Sequence, residues 1–259
     1  MLDASTVSSH PASAGFDQAS GLRRMFDHRS LRVLAIAGSA ELSELWVRSL
    51  ATDRHVIALD HSGQALATAF RKPFGFDLSA LLWGDREFSD VAVRVGERLA
   101  LIPARAGIDD FLAYSREHGI GSESLFAGFL RLEQPFEWLV IHACSLSAMA
   151  ELVGERGEVV LALADDPHSV QAAYVEIKRA MEVAPDLQVR LAVSAVSETR
   201  ARAVAKTLSA TAQRFLGATL QFGVALPSRL NRSMVTDVRA RLRAAASEWQ
   251  LPEFLLDEH

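Results

Sequence analysis

The residues with the clearest chemical meaning lie in a turn between the first apolar segment and the helical segment after it. The sequence there reads RVLAIAGSAELSELWVRSLA, and the turn contains Gly38 and Ser39. A loop that binds nucleotide phosphates here needs several glycines, a lysine for the β- and γ-phosphates and a Ser or Thr for Mg²⁺. This turn has one glycine and no lysine, and Glu41 and Glu44 would repel phosphates. We therefore predict an ordinary strand–helix turn that is capped by Ser39.

Asp60 ends the second apolar segment, and two interpretations of it are open. One is a surviving carboxylate linked to Mg²⁺; the other is a solvated acid or a helix cap. The second is favoured because the partners that a magnesium site needs are missing. Asp165 and Asp166, before Pro167, are two adjacent carboxylates that could also suggest a metal site. We interpret them instead as the start of a helix with acidic residues near its N-terminus.

His142 and Cys144 follow another apolar segment and could suggest a base and a nucleophile. Residues two apart on a strand point the same way. No orienting acid or oxyanion-stabilising element accompanies them, so we expect no catalysis there.

The elements that must position these residues alternate along the chain. Apolar segments typical of strands buried on both faces occur at 32–37, 55–60, 98–103, 138–143, 158–164, 188–194 and 219–225. Helical patterns are clearest at 41–52, 121–133, 168–184 and 197–214. This alternation predicts an α/β fold with a doubly wound, mostly parallel seven-stranded sheet and helices on both faces.

Composition excludes several classes of protein. The chain has 259 residues, of which 49% are hydrophobic and 23% charged, with a formal net charge of -5. The acidic balance argues against nucleic-acid binding, and the single cysteine, Cys144, excludes a disulfide framework or a cysteine metal cluster. No signal peptide or apolar run of about 18 residues is present, so we expect a soluble cytoplasmic protein without a metal site.

We divide the chain into an N-terminal tail (1–30), one α/β domain (31–249) and a C-terminal tail (250–259). The domain ends in a predicted helix at 231–249, whose arginine-rich polar face would suit a membrane surface. Its apolar stripe is small, and the residues after it are acidic. Packing of this helix against the domain is therefore favoured over membrane targeting, although weak peripheral association stays open.

The N-terminal tail contains the run FDQASGLRRMF, which predicts a short amphipathic helix over 16–26. Gly21 weakens this helix, which favours a segment that folds on a partner. The alternative is a helix that docks the tail onto the domain.

Several of these segments resemble the MinD/ParA ATPases, specifically the flagellar-number regulators called FlhG, FleN or YlxH. Residues 17–23 fit the DQAxxLR motif of that family at each specified position. The resemblance extends to the later strands and helices of the family and covers roughly residues 16–249. The runs that carry it are HVIALDHSG, RLALIPARAG, LALADDPHSVQAAYVEIKRA, LAVSAVSETRARAVAKTL and FLGATLQFGVALP. The resemblance implies a P-loop NTPase fold.

The chain departs from the family at the nucleotide site. The family loop, roughly GKGGVGKT, is shortened here to the Gly38-Ser39 turn, and His142 replaces the aspartate that positions Mg²⁺ and water. Asp60 matches the family carboxylate that follows the second strand. Ser62 replaces the next carboxylate of the family, and Ser194 replaces an asparagine that is usual there. Phosphoryl transfer depends on positioning and on cations. We expect a pseudo-ATPase with no cofactor, and ATP with Mg²⁺ only if the degenerate site still binds.

The resemblance implies a role in regulating flagellar number and placement. In the family the DQAxxLR helix binds the FlhF-type GTPase and stimulates its hydrolysis. Carried over, Gln18 approaches the catalytic centre of the GTPase, Asp17 and Arg23 anchor the helix, and Ala19 and Leu22 pack on the partner.

Other hypotheses stay open. They are an ATP-binding ATPase with an unusual loop, an accessory protein of another surface system, and an anti-activator of a flagellar transcription factor. A paralogue with an intact nucleotide site is a further expected partner. Peripheral localisation at the inner membrane or the cell pole is also expected.

Overall fold

The computed structural model describes residues 30–132, 136–153, 158–231, 233–249, 251 and 253–255. The predicted helix at 16–26 lies outside the described residues.

All nine strands of the described residues belong to one sheet. Its strands are β1 (Ser30–Ala37), β2 (Val56–Asp60), β3 (Val93–Gly96), β4 (Leu99–Pro103), β5 (Trp138–Ala143), β6 (Glu158–Ala164), β7 (Gln188–Ala195), β8 (Leu220–Pro227) and β9 (Glu253–Leu255). Their order is β3-β4-β2-β5-β1-β6-β7-β8, and neighbouring strands are parallel from β4 to β8. The seven predicted strands and the doubly wound fold are confirmed. β3 and β9 are additional, and each pairs antiparallel, β3 with β4 and β9 with β1.

The helices follow the strands as expected for this class of fold. They are α1 (Ala40–Leu50), α2 (Ala65–Phe70), α3 (Leu78–Leu82), α4 (Phe88–Val91), α5 (Arg105–His118), α6 (Glu123–Leu130), α7 (Leu146–Val153), α8 (Pro167–Val183), α9 (Glu198–Leu216) and α10 (Val235–Glu248). The four clearest helical patterns correspond to α1, α6, α8 and α9.

The core lies in two layers on the two faces of the sheet. Val140 of β5 belongs to the layer that contains α1, α2 and α10, whereas Ile141 belongs to the layer under α5 to α9. Successive strand residues thus point to opposite faces, and both faces are apolar. This explains why the strands read as continuous apolar runs.

The C-terminal helix α10 packs on α1. Val238, Leu242 and Ala245 are buried, and the indole Nε1 of Trp46 donates to the backbone oxygen of Leu242 at 3.1 Å. Packing against the domain is therefore confirmed for this helix, although Val235, its first residue, is only half-buried. Within the described part of the chain, no helix combines the length and the apolarity that crossing a membrane requires.

Candidate functional site

The turn between β1 and α1 contains two residues, because β1 ends at Ala37 and α1 begins at Ala40. The Ser39 hydroxyl accepts from the backbone N–H of Leu42 at 3.3 Å, so the predicted cap is present. Gly38 has a φ of +112°, and a Cβ there would lie 3.0 Å from the carbonyl oxygen of Ala162 in β6. Close packing against the neighbouring strand therefore fixes the glycine.

Glu41 provides a negative charge at the N-terminus of α1. Its Oε2 accepts from the Ser39 hydroxyl at 2.8 Å, and this hydrogen bond is the main reason that the pKa of Glu41 lies below its ordinary value. A charged carboxylate interacts favourably with the positive end of the helix dipole. The chain thus places its own anion where a P-loop protein binds phosphate.

Asp60 is fully buried at the end of β2. Its carboxylate accepts from the backbone N–H groups of Leu66 at 2.9 Å and Ala67 at 3.3 Å, and from the backbone N–H and the hydroxyl of Ser62. The interpretation as a solvated acid is wrong, because this side chain is shielded from water. The helix-cap interpretation is right, because Asp60 binds the first turn of α2. Both carboxylate oxygens are engaged within the chain.

His142 lies beside Asp60, since the two residues are paired in the register of β2 and β5. The imidazole is fully buried, and its Nδ1 lies 3.0 Å from the hydroxyl oxygen of Ser43 in α1. No described residue forms a hydrogen bond with Nε2, which is also buried. The contact of His142 with Ser43 therefore links β5 to α1.

Burial lowers the pKa of His142 below its ordinary value. Asp60, Glu41 and the Ile36 carbonyl favour the protonated ring, and His61 opposes it, but burial outweighs them. The lowered pKa consequently favours the neutral imidazole at pH 7.

Ser43, His142 and Asp60 together do not form a catalytic triad. Ser43 is completely buried, so a substrate cannot reach its hydroxyl, which also donates to the Ser39 carbonyl at 3.3 Å. Cys144 is exposed, unlike His142. The expectation that His142 and Cys144 are not a catalytic pair agrees with this arrangement.

The acidic pair before α8 starts a helix, as predicted. Asp166 accepts from the backbone N–H of Ser169 at 2.9 Å, and Asp165 lies 3.5 Å from the guanidinium of Arg200. Among the residues that the structure describes, no group of three or more His, Cys, Asp or Glu side chains could hold a metal ion.

The predicted site residues fall into two groups. Gly38, Ser39, Asp60 and His142 lie at the carboxyl ends of β1, β2 and β5, as expected for one edge of a parallel sheet. The predicted partner-binding residues Asp17, Gln18, Ala19, Leu22 and Arg23 all lie outside the described residues.

Sequence reasoning missed the role of Ser43 as the partner of His142. Ser43 is a polar residue within the buried stripe of α1, beside Leu42, Trp46 and Val47. A hydroxyl at such a position needs a buried partner, which is the signal that could have identified it.

ATP with Mg²⁺ is the ligand that this fold would suggest at the turn. A phosphate cradle requires a longer glycine-rich loop and a lysine. Here the turn has two residues, a carboxylate occupies the helix N-terminus, and neutral His142 stands at the end of β5. The residues present at this edge do not fit a bound triphosphate and its metal ion.

Comparison with known proteins gives the fold. No protein-family profile matches the chain, and no curated protein matches its sequence significantly. Among solved structures, a plasmid partition protein from Borrelia burgdorferi is similar with a TM-score of 0.58 and 15% identity, over 84% of this chain and 99% of that one.

Two other solved structures have the same architecture. A complex of a Cyanothece McdA variant with ATP has a TM-score of 0.58 and 14% identity, over 84% of this chain and 95% of that one. MinD in the MinC:MinD cell division complex of Aquifex aeolicus has a TM-score of 0.53 and 12% identity, over 83% of this chain and 94% of that one. The chain therefore has the fold of MinD/ParA-type proteins.

Proposed function

We propose that the chain is a regulator of flagellar number or placement that binds and stimulates an FlhF-type GTPase through residues 17–23. The observation that carries this proposal is the DQAxxLR motif, which the sequence matches at each specified position. The MinD/ParA-like fold that follows the motif supports a family-level role.

The second part of the proposal is that the α/β domain does not hydrolyse ATP. Support comes from the two-residue turn, the charged Glu41 beside Ser39 and the buried His142 at the end of β5. Each removes a different requirement of phosphoryl transfer: the backbone cradle, the cation and the metal-linked carboxylate. Stimulation of a partner GTPase needs none of them in this chain.

The partner GTPase would perform the chemistry, and the helix would complete its site. Gln18 would position the attacking water, while Asp17 and Arg23 would orient the helix and Ala19 and Leu22 would pack on the partner. A domain without an ATP switch would leave this helix permanently available. The same domain could still bind a flagellar transcription activator or an intact paralogue.

The test measures GTP hydrolysis by the FlhF-type GTPase with the full chain. Gln18→Ala should lower the stimulated rate by about 10²-fold or more while binding is kept, because the contact acts in the transition state. Leu22→Asp should abolish binding, since it places a charge on the packed face. Ser20→Ala, at an unspecified motif position, is the matched control and should leave both unchanged. A chain that binds the GTPase without changing its rate would contradict the activator role.

The alternative, an ATP-binding ATPase with an unusual loop, draws on the ATP complex of the structurally similar McdA. Calorimetric titration with millimolar ATP and Mg²⁺ separates the two. We expect no saturable binding, and Ala40→Lys should not create turnover, because a single lysine supplies neither the cradle nor the aspartate. Saturable binding with Mg²⁺-dependent hydrolysis would favour the alternative.

A further inference from the structure

Three arginines surround a cleft at the edge of the sheet opposite the Gly38-Ser39 turn. The cleft has a volume of about 460 Å³ and lies between the end of α1, the β3–β4 turn and α10. Arg48 belongs to α1, Arg98 to the β3–β4 turn and Arg239 to α10. We call it the arginine cleft. The three side chains come from distant parts of the sequence, and the fold brings them to one opening.

Two of these arginines are held in place by contacts with the chain. Arg48 donates from Nε to Glu44 at 2.8 Å, and its guanidinium lies 4.6 Å from the centre of the Phe70 ring. Arg98 donates from Nη1 to the carbonyl oxygen of Thr52 at 2.9 Å. Each contact uses part of a guanidinium group with five N–H donors, so donors are left for a ligand.

The charge balance around the arginine cleft is positive. Glu97 also lines it, and Glu44 pairs with Arg48, so three cations face two carboxylates. This contrasts with the net charge of -5 of the whole chain. The arginine cleft therefore has one excess positive charge on an otherwise acidic chain.

Arg239 contributes the third guanidinium group that lines the arginine cleft. Its Nε is shielded from solvent, and none of the residues in the described ranges accepts a hydrogen bond from it. A ligand in the arginine cleft would therefore contact the terminal N–H groups of Arg239, at Nη1 and Nη2, and not Nε. The backbone of Arg239 is fixed, because its carbonyl oxygen accepts from the hydroxyl of Ser49 at 2.6 Å.

We propose that the arginine cleft binds a phosphate group of a multiply charged ligand. Planar guanidinium groups match the oxygens of a phosphate in pairs, and a phosphate carries more charge than a carboxylate. The volume lies in the range of small-ligand sites, about 300–1,000 Å³. Two sources share this chemistry, a soluble polyphosphate compound and the headgroup of an anionic lipid.

The test uses the full chain and two probes. Pyrophosphate is titrated calorimetrically, and vesicles of phosphatidylcholine with phosphatidylglycerol are tested by co-sedimentation. Arg98→Gln and Arg239→Gln should each weaken binding of the responding probe about tenfold, or about 1.4 kcal/mol. Arg241→Gln is the matched control: it lies on the same helix, pairs with Asp237 at 3.0 Å and does not line the arginine cleft. It should change binding less than twofold.

The outcomes separate the two sources and the proposal from its rivals. Saturable binding of pyrophosphate that only the cleft variants weaken supports a soluble ligand. Binding of vesicles alone, weakened in the same pattern, supports a lipid headgroup. Equal losses with Arg241→Gln would mean a general basic surface and would overturn the proposal, as would the absence of binding to both probes. Circular dichroism should show that the exposed Arg98→Gln variant stays folded.

Discussion

The hydroxyl of Ser43 and Nδ1 of His142 lie 3.0 Å apart, so a buried polar contact joins α1 to β5 across 99 positions of the chain. The Ser43 hydroxyl also donates to the carbonyl oxygen of Ser39 at 3.3 Å, so the pair adjoins the turn where a P-loop protein would hold phosphate. This edge of the sheet is thus closed by side chains of the protein itself.

Ser43→Ala should lower the free energy of unfolding by about 1–3 kcal/mol. The change leaves Nδ1 of His142 buried without a partner, and an unsatisfied buried polar group carries a cost of that size. Denaturant unfolding measures it. Ser247→Ala is the control, because Ser247 is also helical but exposed, and it should change stability by less than about 0.5 kcal/mol. Equal effects in the two variants would contradict a role for the Ser43–His142 contact.

His142 should make the protein less stable as the pH falls below 6.5. The unfolded chain takes up a proton at this histidine near its ordinary pKa of 6.5, whereas burial holds the folded-state pKa lower. Between the two values the unfolded state binds more protons, so the free energy of unfolding decreases by at most about 1.4 kcal/mol per pH unit. Below the folded-state pKa this decrease stops.

Comparison with His142→Gln isolates that contribution. We expect urea unfolding between pH 7.5 and 5 to show that the free energy of unfolding decreases more steeply with falling pH in the unmodified chain than in His142→Gln. The raised pKa of Glu158, which results from burial and is opposed by Arg190, is present in both proteins and cancels. Parallel pH profiles would show that His142 does not titrate differently on folding.

Gly38→Ala should destabilise the protein by about 1–3 kcal/mol. The positive φ strains any residue with a side chain, and a Cβ only 3.0 Å from the Ala162 carbonyl oxygen would force the backbone of β6 to shift. Gly128→Ala in α6 is the matched control, since nothing lies within 4 Å of its added Cβ. In a helix this control should be neutral or stabilising by up to about 1 kcal/mol. Thermal unfolding of the two variants gives the comparison.

Leu242→Ala should cost about 2–5 kcal/mol of unfolding free energy, because it opens a cavity between α10 and α1. The exposed Leu230 provides the control, and Leu230→Ala should cost less than about 1 kcal/mol. A small effect of Leu242→Ala in chemical denaturation would mean that α10 is not an integral part of the core.

The sequence predicts the strands of this fold better than its short edge elements. Residues 138–143 are recognisable because both faces of β5 are buried, so no polar residue interrupts the run except His142. Val93–Gly96 forms a four-residue edge strand with alternating exposure, and so short a pattern cannot be distinguished from a loop.

The sequence predicts where the residues of the candidate site lie along the strands, but not the contacts that they make. Gly38, Ser39, Asp60 and His142 can be located because they follow strands, whose carboxyl ends share an edge. The burial of Asp60 depends on how α2 folds back to donate the N–H groups of Leu66 and Ala67. The contact between Ser43 and His142 depends on which face of the sheet α1 covers, and no local pattern encodes that.

The pairing of β9 with β1 places Ser30 opposite Leu255. Backbones of paired strands are about 5 Å apart, so a linker of a few residues could join these two positions. Circular permutants are therefore accessible, with new ends opened at the exposed residues Pro185 and Asp186 between α8 and β7. Such a permutant would lack the segment before Ser30, and its folding would test whether the α/β domain and the DQAxxLR segment can be prepared as separate reagents.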